Sequence, residues 1–493
     1  MRKYSILLLA LVLLTLASCK KWLNLTPESQ VAAQDLFKTQ EGFEEALNGV
    51  YTRCGQGDIY GQELTCGLPD VLAQDYSLST INDPLSYLQS ADFNYTDANF
   101  LNRENNLWSG LYNAVVNCNL ILANVDQQKS IFTGNDYALI KGEALALRAY
   151  LHFDALRLFA PSYASNSSAP AIPYVTTYSN KVTSLSTVST VVKDVIADLL
   201  QAKAILAPAD SIRNADYIVG YPSDPAQTET SSSDLFEQNR RHRMNYFAVC
   251  GELARAYLFE GDYPDALSNA LEVINAKKFP WTNQADFLNA TPALQDLILY
   301  KELVFGWYIP WQTPSLQSLF QSGTGGLFLL PADAQFIYEA NGVGGEDLRY
   351  KEWMQVSVSG AVQLMKYRMN PSVTPNDPTA NICPQMAPAI RLSEMYYIAA
   401  ECSFDQSPST ALGYLNTVRA QRGIGNPLTD STKTQFLTDL LKDARKEFFG
   451  EGQIFYMYKR LNTSIVGSSG IIIPPSDSIF VLPLPINETE FGG

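Results

Sequence analysis

Histidine is almost missing: His152 and His242 are the only two in 493 residues. A nucleophilic site of the Ser-His-Asp or Cys-His kind would have to use one of them. No Gly-x-Ser-x-Gly turn occurs, and His242 sits in "RRHR", which reads as a solvated basic turn. His152, in "RAYLHFD", reads as a packed polar residue of a helix. Metal-ligand patterns are missing too, with no Cys-x-x-Cys and no His/Cys cluster. Positive charge is short, 35 Lys and Arg against 50 Asp and Glu, so nucleic-acid phosphates would be repelled. Beyond residue 20 no apolar run is long enough to cross a bilayer, which takes roughly 20 residues; 471–473 and 480–484 are short and interrupted by proline. Glycosidase chemistry needs only two carboxyls, but nothing in the sequence marks a pair.

What is present begins at the N-terminus. Arg2 and Lys3 precede an apolar stretch at 6–16, and the small residues Ala17 and Ser18 lead into Cys19. This is the pattern of a secretory signal peptide over residues 1–18. Leu16-Ala17-Ser18-Cys19 resembles the bacterial lipobox, in which the cysteine is acylated and becomes the new first residue. Cys19 is therefore the expected lipidation site and membrane tether, its acyl chains contributing about 0.8 kcal/mol per buried CH2. Loss of the leader removes Arg2 and Lys3 and takes the formal charge from −15 to −17. Six further cysteines remain: Cys118, Cys250 and Cys402 lie in apolar helical patterns and read as buried thiols, and Cys54 and Cys66 flank a glycine-containing loop that a disulfide could close. Cys383 carries no such signal.

A content of 46% hydrophobic residues supplies a large core, so the chain is globular. Tyr246, Cys250, Leu253 and Tyr257 recur at helical spacing; Gly261 then stops one helix, and Asp262 caps a second that carries Ala266, Leu267, Ala270 and Ile274. This hairpin is similar to a tetratricopeptide repeat. Three more pairs are predicted: 137–159 with 188–199, Leu392 to Ala399 with Leu412 to Val418, and Phe43 to Tyr51 with the helix carrying Trp108, Leu111, Tyr112 and Leu122. Irregular insertions at 52–107, 205–240 and 280–385 separate them, with short strands expected near 303–305 and 362–367. Long insertions of this kind usually carry function.

Six segments in order then resemble the SusD/RagB family of outer-membrane nutrient-uptake lipoproteins: "KKWLNLTPES", "GEALALRAYLHFDALRLFAPSY", "AIRLSEMYYIAAEC", "LNTVRAQRGI", "DARKEFFGEGQIFYMYKR" and "FVLPLPINETE". The resemblance implies a mainly α fold, in which four tetratricopeptide-like helix pairs form an α-superhelical scaffold. It implies a single domain over 19–493 that binds an oligosaccharide and passes it to a TonB-dependent outer-membrane transporter, with no catalysis and no cofactor. Arg148, Arg391, Glu394, Arg419, Arg445 and Glu447 in these motifs are expected to form helix-packing ion pairs. Lys20 and Lys21 depart from the acidic residues that often follow the lipidated cysteine in surface-exported members, which leaves the leaflet open.

Sugar binding asks for a flat ring against the C–H face of a pyranose, with polar groups around its hydroxyls. Aromatics of the insertions, outside the helical stripes, are the candidates: Tyr76, Phe93 and Tyr95 in the first, and Tyr308, Trp311 and Trp353 in the third. Trp307, Tyr308 and Trp311 cluster in "FGWYIPW", and Tyr308 and Trp311 are the foremost of the set. Trp108 and Tyr112 follow a helix pattern and belong to the core. Two other readings stay open: a binder of peptide or another nutrient on the same scaffold, and a tetratricopeptide adaptor of the envelope.

Overall fold

Apolar residues at helical spacing build the long helices, and polar caps fix where they begin. The computed structural model describes residues 35–78, 83–309, 316–320, 326–369, 386–429, 432–467 and 470–491. The leader, Cys19, Trp311 and Cys383 lie outside these residues. The first helices are α1 (Gln40–Cys54), α2 (Ala98–Val125), α3 (Asp136–Phe159), α4 (Val188–Leu206), α5 (Tyr246–Glu260) and α6 (Tyr263–Ala276). Further along come α7 (Pro331–Ile337), α8 (Leu392–Ser403), α9 (Pro408–Gln421), α10 (Lys433–Glu447) and α11 (Ile454–Arg460). Thr39, Asp97, Thr187, Asn245, Asp262 and Ser407 each accept a backbone N–H of the following first turn, satisfying a donor the helix leaves orphaned. Gly261 ends α5 at φ 90°, a left-handed conformation that suits glycine.

The four predicted pairs are present: α1 with α2, α3 with α4, α5 with α6, and α8 with α9. α2 also packs on α3, α4 on α5 and α6 on α8, so the pairs form one continuous row. Phe43, Leu47, Leu111, Leu151, Val192, Leu253, Ala270 and Leu415 are fully buried along it. Each large apolar side chain among them contributes about 1.5–3 kcal/mol of burial. Where α3 meets α4, a Cβ on Gly142 would come within 2.6 Å of the Leu206 side chain, so only glycine fits there. Arg148 on α3 forks onto Asp198 on α4 with two 2.7 Å hydrogen bonds, and Tyr174 donates to the same carboxylate. That is the expected register-fixing pair.

Among the described residues six short strands pair antiparallel: β1 (Leu303–Tyr308) with β4 (Met386–Arg391), β2 (Met354–Val356) with β3 (Val362–Leu364), and β5 (Ile465–Val466) with β6 (Ile472–Ile473). The strands expected near 303–305 and 362–367 are thus present. β4 runs directly into α8 and ties the third insertion to the fourth helix pair. The chain's end returns to the scaffold. Leu482 N–H and the Lys459 ammonium both donate to carbonyls at the C-terminal end of α3, and Tyr95 donates to Ile479 O.

A buried ionic hub joins the third insertion to the last helices. Glu447 on α10 accepts from Arg349, Arg391 and Arg422; Arg422 also holds Glu302 at 2.6 Å, Arg349 holds Asp347 and Asp443, and Arg391 holds Glu451. Burial by itself would raise the Glu447 carboxyl, but Arg422 and Arg391 outweigh it and hold the group well below the usual range. Arg445 pairs with Asp75, and Glu394 with Arg255.

Two expectations are corrected, for the basic turn and for Arg419, and the open question of a Cys54–Cys66 bridge is answered. "RRHR" is not a solvated turn: Arg240 and Arg241 are 0% and 1% exposed, and the carboxylates of Asp210, Glu143 and Glu229 neutralise them. Cys54 and Cys66 are free and buried rather than bridged. Successive turn hydrogen bonds through 54–67 give the two thiols different surroundings, Cys54 beside Cys118 and Cys66 beside Asp70. Arg419 has no ion pair among the described residues; its Nη2 donates to the Asn426 carbonyl. Cys118, Cys250 and Cys402 are buried free thiols, as their helical context predicts.

Candidate functional site

The alternation of β1 sorts the aromatic cluster of "FGWYIPW". Trp307 points inward at 2% exposure and stacks on Tyr60, ring centres 4.4 Å apart and planes 14° from parallel. Its neighbour Tyr308 therefore points outward. Tyr308 is 39% exposed and lies against the ring of His242, 5.0 Å away and 17° from parallel.

The short turn Arg240–His242, which abuts β1, carries His242 there. Asn239 opens the turn in the left-handed region at φ 49°, and the buried pairs of Arg240 and Arg241 anchor it. Arg240 takes two hydrogen bonds to Asp210, and its Nη1 lies 2.7 Å from Glu143 without hydrogen-bond alignment. Arg241 forks onto Glu229. Beyond His242, Arg243 donates to Asn48 Oδ1 at 2.6 Å and sits 4.3 Å over the Phe236 ring. Burial, then Arg241 and Arg243, push the His242 imidazole down to about 3. At neutral pH the ring is uncharged, so the Tyr308–His242 surface is a neutral aromatic platform flanked by a guanidinium and an amide.

The remaining candidates separate by burial. Tyr76 and Trp353 are core residues of the insertions, which corrects their reading as ligand-facing rings. Tyr76 is 6% exposed and its hydroxyl donates to Cys66 O, while Trp353 is 0% exposed and its indole N–H donates to Leu297 O. Phe93 and Tyr95 are half-buried and meet edge to face at 6.4 Å, and Tyr95 continues onto Phe100. Trp311 lies outside the described residues. Trp108 is core, and Tyr112 is half-buried with its hydroxyl on Pro173 O. His242 and Arg243 were not among the candidates. The signal that could have found them is the basic turn itself, whose flanking Asn239 and Asn245 mark a tight bend before a helix.

His152 is a satisfied core residue. Its Nε2 accepts the Val175 N–H at 3.0 Å, which leaves the proton on Nδ1 facing Arg148 O, and burial drives it down to about 3. Among the described residues, no group of His, Cys, Asp and Glu is arranged to hold a metal ion, and no helix is long and apolar enough to cross a membrane.

Two family models match the chain at its two ends. One, described as starch-binding associating with the outer membrane, matches residues 21–216, and the model of the SusD family matches 345–472. The fold agrees with solved structures. A SusD superfamily protein from Bacteroides thetaiotaomicron VPI-5482 superposes with a TM-score of 0.69 at 22% identity, over 92% of this chain and 98% of that one. A SusD-like carbohydrate binding protein from Bacteroides vulgatus ATCC 8482 gives 0.69 at 18% identity, over 92% and 96%. A SusD superfamily protein from the same B. vulgatus strain gives 0.67 at 20% identity, over 92% and 97%. No curated protein matches the chain. This is an outer-membrane-associated protein of the α-superhelical class, and it belongs to the SusD family.

Proposed function

We propose that the protein is a lipoprotein that captures an oligosaccharide at the cell surface and hands it to a TonB-dependent outer-membrane transporter without chemically altering it. Cys19 is the tether, and the mature chain from that residue is one domain. The observation that carries the binding role is the platform of Tyr308 on His242, an exposed neutral ring pair of the kind that receives the C–H face of a pyranose, with Arg243 and Asn48 at its side for hydroxyls. Trp311, three residues beyond Tyr308, remains a candidate for a second stacking ring. Phe93 and Tyr95 are lesser candidates, since each is half-covered by its own neighbours.

Titration calorimetry of the mature protein against a panel of polysaccharides tests this reading. Binding to one glycan is expected to be lost in Tyr308→Ala or Trp311→Ala with the fold intact. Retention in both would refute the platform, and an oligosaccharide cleaved by the purified protein would refute the non-catalytic role. Co-purification of a TonB-dependent transporter from detergent-solubilised membranes tests the partner. Loss of membrane attachment in Cys19→Ser, and digestion by external protease on intact cells, test the tether and the face it occupies.

A further inference from the structure

Among the described residues ten arginines are at most 8% exposed, and nine of them meet a carboxylate at salt-bridge distance. Arg419, at the C-terminal end of α9 and 8% exposed, is the exception. Its Nη2 donates to the Asn426 carbonyl at 3.1 Å, and its Nε–H has no acceptor. An unpaired buried cation costs several kcal/mol, and the fold that neutralises the other buried arginines gives this one no counter-charge among the described residues.

Arg419 lies in the wall of a cavity of about 760 Å3 between α7, the outer face of α10 and the stretch 458–466. That volume is in the range of small-molecule sites. Phe336, 47% exposed, stands at its edge, and Gln335, Asn341, Thr438 and Ser464 supply hydrogen-bonding groups. The other charges are mostly committed. Lys442 and Lys446 share Glu339, Asp443 is held by Arg349, and Arg445 by Asp75. Asp439 in the lining accepts from Gln435 and meets no cation among the described residues, while the two lysines share one carboxylate, so Arg419, Lys442, Arg445 and Lys446 outnumber Glu339, Asp439 and Asp443 by one positive charge.

We infer that this cavity is a second ligand site, separate from the Tyr308 platform, and that it takes a carboxylate-bearing sugar: a hexuronate unit with its ring on Phe336 and its carboxylate on Arg419. A lining with one cation more than it has carboxylates, and a guanidinium with no acid of its own, matches one carboxylate, whereas a doubly charged phosphate would need a further cation. That the ligand is a sugar rests on the proposed function; that it is anionic rests on Arg419.

The test is calorimetry on the intact mature protein with tri-galacturonate, a glucuronate trimer and their carboxyl-reduced neutral counterparts. At least one acidic trimer is expected to bind tenfold or more tightly than its neutral form. Arg419→Gln is expected to abolish that preference, Phe336→Ala to weaken the acidic trimer at least fivefold, and Tyr308→Ala to leave it unchanged. The inference is overturned if neither acidic trimer binds, if acidic and neutral forms bind equally, or if the preference survives Arg419→Gln. Should Arg419→Gln fail to fold, the half-exposed Phe336 decides, and unchanged binding in Phe336→Ala overturns the site. The two readings fail separately. Neutral glycan binding that depends on Tyr308 without acidic binding removes this site alone, and acidic binding that depends on Arg419, with no neutral glycan whose binding Tyr308→Ala weakens, removes the platform alone.

Discussion

The second and third insertions are both fastened to the helices by buried arginines, but in different ways. In the third, three arginines converge on one carboxylate, Glu447, and tie Glu302 and Asp347 of the insertion to α10. In the second, Arg240 and Arg241 each have their own acids, and the turn they hold lifts His242 against Tyr308. A shared hub concentrates the loss on any one member, whereas separate pairs spread it. The first arrangement fixes where a loop is rooted; the second fixes how a ring is presented.

The largest effect should come from Glu447→Ala, which leaves three buried guanidiniums without their common partner. A loss of at least 3–5 kcal/mol is expected in urea denaturation, the range for breaking a single buried pair, and a loss under 1 kcal/mol would show that the hub is not cooperative. Arg240→Met should cost less, on the order of 2–3 kcal/mol, because Glu143 keeps Tyr51 and Arg243 while Asp210 keeps backbone donors. Its distinguishing outcome is weakened glycan binding at full helicity by circular dichroism, since the His242 turn loses its anchor.

A buried acid with no cation is the natural control. Glu104 on α2 is 1% exposed, neither carboxyl oxygen has a hydrogen-bond partner among the described residues, and burial pushes the group up to about 7. The folded chain therefore keeps a proton that the unfolded chain releases as pH rises from its ordinary range near 4.5 toward 7, and stability falls across that window. Glu104→Gln should stabilise the protein by about 1–2 kcal/mol at pH 8 and by almost nothing at pH 4; equal effects at both would refute the assignment. The smallest stability change belongs to Tyr308→Ala, expected within about 0.5 kcal/mol as for an exposed surface residue, against a full loss of binding.

The helix pairs were legible because their signal is local. Tyr246 to Ile274 contains its own stripe, stop and cap, so nothing distant is needed to read it. The basic turn was misread because charge in sequence says nothing of where the counter-charge lies. Arg241 finds Glu229 nearby, but Arg240 depends on Asp210 and on Glu143, two helices back. Tyr76 and Trp353 show that long insertions build cores of their own: Tyr76 packs against Phe320 and Phe449, and Trp353 against Phe287. Tyr308 was legible as an aromatic outside the stripes, but its outward direction depends on the β1 register, which four letters of alternation do not fix. Arg419 shared a motif with paired arginines, and only the packed structure separates it from them.

The closing of α3 by the chain's last segment bears on timing. The carbonyls of Arg157 and Leu158 receive their donors from Lys459 and Leu482, residues synthesised some 300 positions later. Until those residues emerge, the end of the second helix pair stays open to water and its neighbours lack a cover. A chain threaded through a membrane from its N-terminus would complete its scaffold only when nearly all of it has crossed, and one cut short before residue 459 would be left with an open seam for quality-control proteases to find.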